Sequence, residues 1–138
     1  MEHYTEFLPI SRADMEARGW DQLDFVVVGG DAYVDHPSFG TAIISRLLEA
    51  EGYKVGVLAQ PRYTDCEDFK RFGKPKYGFF IGGGNVDSMV SHYSVAKIPR
   101  AEDEYSPGGK GGARPDRSAT VYTRLAKQAY PDLPVILG

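Results

Sequence analysis

Cysteine is nearly missing: Cys66 is the only one in 138 residues. One thiol cannot close an intramolecular disulfide, and alone it cannot hold zinc or an iron–sulfur cluster. Histidine is scarce as well. His3, His36 and His92 fall in three different segments, and nothing in their spacing pairs them into a metal site. Asp87 and His92 are five apart, which does not bring them face to face on a helix. No apolar run approaches the roughly 20 residues that span a bilayer. The opening stretch MEHYTEFLPISRADMEARGW is acidic and has no signal-peptide core. A cytoplasmic location without a membrane partner is the default expectation. Charge of one sign is also lacking. Sixteen basic and 19 acidic residues leave a formal −3, which gives nucleic acid nothing to follow. Finally, neither G-x-G-x-x-G nor G-x-x-x-x-G-K-[ST] occurs, so nucleotide binding by those devices is disfavoured.

What is present reads as one domain over residues 1–138. A chain of this size buries roughly 68% of its unfolded surface, enough for a real core. SRADMEARG (11–19) predicts a short helix, with Ser11 as cap and Gly19 past its end. DFVVV (24–28) predicts a strand buried on both faces. HPSFGTAIISRLLEAEG (36–52) predicts a helix, with Asp35 or Ser38 as cap. Its inward stripe is expected at Phe39, Ala42, Ile43, Leu47 and Ala50, and Gly52 supplies the stop. YKVGVLA (53–59) completes a βαβ unit. A short helix follows in 60–75, where Thr64 and Glu67 have capping-box spacing.

YGFFIGGG (77–84) predicts a third strand. NVDSMVSHYSVAKI (85–98) predicts a helix capped by Asn85, with Val86, Met89, Val90 and Tyr93 inward. Residues 99–117 hold four Gly, three Pro and eight charges. Such a long loop inside a compact domain is functional or disordered. SATVYTRLAKQAY (118–130) predicts a helix with Val121, Tyr122, Leu125, Ala126 and Ala129 apolar. PVILG (134–138) predicts a fourth strand. The expected fold is α/β: an open, doubly wound, Rossmann-like parallel sheet of about four strands. A buried parallel strand with no helix to cover it, at Gly138, predicts a piece of a longer protein.

Ligands of such sheets bind at the carboxyl ends of the strands, where strand order reverses. Three segments belong there. In the first, Gly29 and Gly30 permit a tight turn or close approach, and Asp31, His36 and Gly40 follow. In the second, Gly82, Gly83 and Gly84 open onto Asn85 and Ser88, a candidate cradle at a helix start. The third is the long loop, where Lys110, Arg114 and Arg117 could clamp a carboxylate or phosphate. The plainer expectations are strand-to-helix turns for the first two and a solvated loop for the third. Direct catalysis by Asp31 or His36 is the least supported use of these residues. Cys66 is expected to be a small buried hydrophobe.

The stretch GDAYVDHPSFGTAIISRLLEAEGYKVGVLAQP (30–61) resembles the N-terminal region of the YgiQ-type radical S-adenosylmethionine proteins. The resemblance continues through GGGNVDSMVSHY (82–93), YSPGGKGGARPDRSATVYTRL (105–125) and PDLPVILG (131–138). It implies a Rossmann-like domain, similar to cobalamin-binding domains, ahead of a radical SAM barrel. It also implies a four-iron cluster on a C-x-x-x-C-x-x-C motif, with S-adenosylmethionine on the fourth iron. That motif is absent here, so no cofactor and no catalytic or metal-binding residue is expected on this chain. For cobalamin, the D-x-H-x-x-G pattern is departed from by one residue on each side: Asp35 and His36 are adjacent, and Gly40 lies four past His36. The expected function is an accessory domain presenting substrate or cofactor to the radical SAM domain. That domain and an unknown small-molecule substrate are its expected partners. The alternatives are a stand-alone module for a small anion or nucleotide, and a docking domain without chemistry.

Overall fold

The strand predicted at 24–28 forms because β-branched residues suit extended backbone, and its place in the sheet follows from its lack of polar residues. In the computed structural model, which describes residues 7–36, 38–84, 89 and 92–138, it is β1 (Phe25–Gly29). β1 pairs in parallel with β2 (Val55–Ala59) on one side and β3 (Gly78–Ile81) on the other. β4 (Val135–Leu137) pairs with β3. The sheet is all parallel, in the order β2-β1-β3-β4.

Among the described residues, α1 (Arg12–Ala17), α2 (Gly40–Ala50), α3 (Ser118–Ala129) and two 3₁₀ turns, Glu67–Lys70 and Pro107–Gly109, run around it. This is the expected Rossmann-like α/β arrangement. No helix among the described residues is long and apolar enough to cross a membrane.

Alternation along the strands divides the sheet into two faces. Val26, Val28, Phe79 and Ile81 point into the main core, with Met15, Phe69, Phe72, Tyr122 and Leu125 over them. Phe69 anchors this layer. Its ring centroid lies 6.0 Å from that of Phe79 and 6.1 Å from that of Tyr122. Cys66 belongs to the same cluster, as a small apolar side chain would. The opposite face is served by α2 alone among the named helices, and α2 packs on β1 and β2.

Helix ends follow the sequence in part. Ser11 Oγ accepts the Asp14 N–H at 3.2 Å, as its cap position requires. Gly52 takes a positive φ of 92° just past α2, the left-handed stop that glycine permits. The predicted caps of α2 differ. α2 begins at Gly40 after Phe39, with no side-chain cap. Asp35 instead pairs with Arg46, and Ser38 Oγ sits 2.8 Å from His36 Nδ1. Thr64 does not cap the 3₁₀ turn either; Asp65 Oδ1 accepts the Glu67 N–H at 3.0 Å.

The inward stripe of α2 also differs from the predicted one. Ala42 and Ser45 are its buried residues, while Ile43 and Leu47 are exposed, Leu47 by 62%. Small side chains let the helix lie close to the strands: a Cβ on Gly29 would meet Thr41 Oγ1 at 2.8 Å. In α3, by contrast, Tyr122, Leu125 and Ala126 are buried as expected. Of the helix predicted at 85–98, residues 85–88, 90 and 91 lie outside the described residues, while 93–98 are not helical: the chain turns back through Lys97, at a positive φ of 61°, and pairs Tyr93 with Pro99. Met89, predicted inward, is exposed.

Phe69→Ala would remove the aromatic anchor of the main core and leave a cavity between the sheet and α3. Urea titration should show a loss of about 3–5 kcal/mol; a loss under ~1 kcal/mol would mean that this layer repacks freely.

Candidate functional site

Strand order reverses between β1 and β3, so the crevice past their carboxyl ends is the natural ligand position. A groove of about 450 Å³ lies there. Its floor includes Val27, Phe80 and the backbone of Gly82–Gly84. Val34, Ile44 and Ile136 form part of its walls. The lining is mainly apolar, and among the described residues it includes no lysine or arginine. Asp31 and Gly40 also line it; His36 does not. His36 is exposed and turns its Nδ1 to Ser38, which does not suit a ligand to a metal in this groove. Asn85 and Ser88 lie outside the described residues.

The glycines of the two turns allow the protein's own chain to close up. A Cβ on Gly30 would collide with the Gly83 carbonyl oxygen, and one on Gly84 would lie 2.5 Å from Asp31 Oδ1. Ser118 Oγ, at the start of α3, donates to the Gly83 carbonyl at 3.2 Å. The β1 and β3 turns and the N-terminus of α3 thus meet at one point.

Arg114 holds that point together. Its side chain is fully buried. Nη2 reaches the two oxygens of Asp103 at 2.6 and 2.7 Å, and Nε reaches Oδ2 at 2.9 Å. Nη1 donates to Asp31 Oδ1 at 3.1 Å. Asp103 also accepts the Ser106 hydroxyl at 3.0 Å and the Tyr105 N–H at 3.0 Å. Gln60 Nε2 bridges Ser106 Oγ and the Gly30 carbonyl, and the Ala32 N–H donates to the Tyr105 carbonyl at 2.7 Å. Burial pushes the Asp103 carboxyl up, but hydrogen bonds from Arg114, Tyr105 and Ser106 together hold it below the ordinary carboxylate range. The long loop is therefore a strap fastened across the β1 turn. Arg114 does clamp carboxylates, as its residue type suggested, but they are the chain's own.

Sequence reasoning missed Asp103 and Gln60 as partners. Asp103 and Arg114 are eleven apart in a loop without periodicity, and no spacing rule joins them. It also missed a second cluster. His92 Nδ1 lies 2.7 Å from Asp116 Oδ1, and Tyr93 donates to Asp116 Oδ2 at 2.9 Å. Those two hydrogen bonds, from His92 first, hold the Asp116 carboxyl low. Among the described residues, no group of three or more His, Cys, Asp or Glu could hold a metal ion.

A parallel sheet with an apolar groove at its switch point has the ligand-facing layout of the doubly wound α/β proteins. The chain belongs to the family described as Radical SAM N-terminal, which matches residues 7–138. It is 59% identical over 133 residues to a UPF0313 protein of Clostridium botulinum (strain Loch Maree / Type A3), covering 96% of this chain and 21% of that relative. It is 53% identical over 134 residues to a UPF0313 protein of Clostridium perfringens (strain SM101 / Type A), covering 97% and 20%. The chain thus spans about a fifth of the length of the curated relatives it matches. No solved structure matches it.

Arg114→Met would leave two buried carboxylates without their main counter-charge, at a cost of about 3–5 kcal/mol. The acid limb tests the same clamp. Asp103 is lowered in the folded state, so its contribution is present above the ordinary value of 3.8 and fades as pH falls through its folded value. Asp103→Asn should lower urea midpoints at about pH 7 and flatten their fall towards about pH 3. Unchanged pH dependence would remove Asp103 from this role.

Proposed function

We propose that this chain is the accessory domain of a radical SAM iron–sulfur enzyme, and that it presents a small-molecule substrate or cofactor to the reacting centre. The observation that carries the reading is the apolar, glycine-floored groove at the switch point of a chain in the Radical SAM N-terminal family. The chemistry itself belongs elsewhere in the protein. Cys66 is the sole cysteine and is buried, so three thiolates for a four-iron cluster must come from outside these 138 residues. S-adenosylmethionine would bind with that cluster. For cobalamin, the described lining of the groove includes no histidine, and His36 stands outside it.

A stand-alone anion or nucleotide module is the weaker reading. Its phosphate would need donors or positive charge. Arg114 is engaged by carboxylates, and the described lining offers apolar side chains. The groove suits a ligand with an apolar body whose polar end meets the Gly82–Gly84 backbone.

The test uses the longer protein, with its cluster reconstituted under anaerobic conditions. Small-molecule fractions of a cell extract should stimulate reductive cleavage of S-adenosylmethionine. Val34→Trp, which narrows the groove from an exposed position, should cut that stimulation at least about tenfold, equivalent to roughly 1.4 kcal/mol, with iron content unchanged. Undiminished stimulation in the variant would sink the presentation role.

A further inference from the structure

Among the described residues, the face of the sheet opposite the main core is only half covered. α2 lies over β1 and β2, and none of the described helices lies over β3 and β4 on that side. Parallel sheets are normally buried on both faces. Here Phe80 and Ile136 stand on the open half, beside Ile44 of α2. Ile43 and Leu47 extend the same strip, because residues three and four apart share a helix face. Ile136 is 47% exposed and Tyr77 44%. Tyr77 packs on Phe25, which also touches Phe80, and Phe80 lines one groove with Ile44 of α2 and Ile136 of β4.

We infer that this strip is a docking surface, and that its occupant is the rest of the same longer protein, the polypeptide outside residues 1–138. The inference rests on the accessory-domain reading above. Three observations favour this occupant. The curated relatives are about five times as long as this chain, so a large partner on the same polypeptide is available. The strip's named residues are aliphatic and aromatic, with Lys76 held over the Tyr77 ring, a composition closer to a permanent interface than to a transient one. It also borders the groove through Ile44, Phe80 and Ile136, so whatever covers it would close the groove on that side. Contact between the two parts of the protein would then join ligand presentation to the reacting centre.

Hydroxyl-radical footprinting of the longer protein, read by mass spectrometry, tests this without isolating the domain. Leu47, Tyr77 and Ile136 should be protected by about fivefold or more relative to Ile10 and Phe7, as the desolvated centre of an interface is. The controls are comparably exposed apolar residues away from the strip. Leu47→Glu should restore labelling at Tyr77 and Ile136. Equal labelling of strip and controls would overturn the inference. So would protection that disappears on dilution together with a halving of mass by light scattering, which would assign the strip to a second copy. Iron content and S-adenosylmethionine cleavage are measured on the same preparation. Their absence would overturn the radical SAM reading alone, while the footprint reports on docking separately.

Discussion

The buried guanidinium of Arg114 is the interaction on which the ligand-facing edge depends. A charge taken out of water must be met by several well-placed partners, or it is strongly destabilising. Asp103 supplies a fork and Asp31 a further oxygen. Because Asp31 follows the β1 turn directly and Asp103 lies 72 positions later in the chain, satisfying Arg114 fixes the long loop against the sheet. The remaining contacts around it are weaker and follow from that placement. Gln60 can bridge Gly30 and Ser106 only once the strap is down. Ser118 can hold the Gly83 carbonyl only when α3 begins where Arg114 has brought the chain.

The same clamp explains the character of the groove. A carboxylate and an arginine at the mouth of a parallel sheet suggest polar recognition when read singly. Together with Asp103 they form a cluster in which two carboxylates share one guanidinium, so their polar contacts are made within the chain and a negative charge is left over. The turn glycines act likewise, since their missing side chains make room for the neighbouring backbone. What is left facing the groove is mostly hydrocarbon and peptide backbone. Shape and apolar area would therefore hold a ligand there, and the surplus negative charge around Asp31 would disfavour an anion.

Much of the architecture was legible in the sequence because it is periodic. The runs FVVV, VGVL and GFFI, each followed by a turn and a further element, define a parallel sheet, and Tyr122, Leu125 and Ala126 are buried as helical spacing predicts. The glycine turns were placed correctly at the carboxyl edge. The strap was not legible. Asp103, Gln60 and Arg114 meet through tertiary contacts between segments of unrelated pattern, and a loop rich in glycine and charge reads the same whether solvated or buried. α2 failed in a different way. Periodicity detects an apolar stripe but not the surface that buries it. In α2, Ala42 and Ser45 face the strands, and the bulkier Ile43 and Leu47 are turned outward.

That inversion and the clamp belong to one design. Turning the larger apolar residues of α2 away from β1 and β2 requires a close helix–sheet contact, which the small Ala42 and Ser45 allow. It also leaves hydrophobic surface beside the groove that water solvates poorly. Meanwhile the strongest polar groups of the edge are spent on internal order. A domain built this way ties down its strand-end turns by buried polar contacts and leaves an apolar flank, and among its described residues no group of three or more His, Cys, Asp or Glu could hold a metal ion. Such a division of properties is what the proposed presenting role asks of the domain. It would be a costly arrangement for a free-standing module, which would have to keep the apolar flank in water.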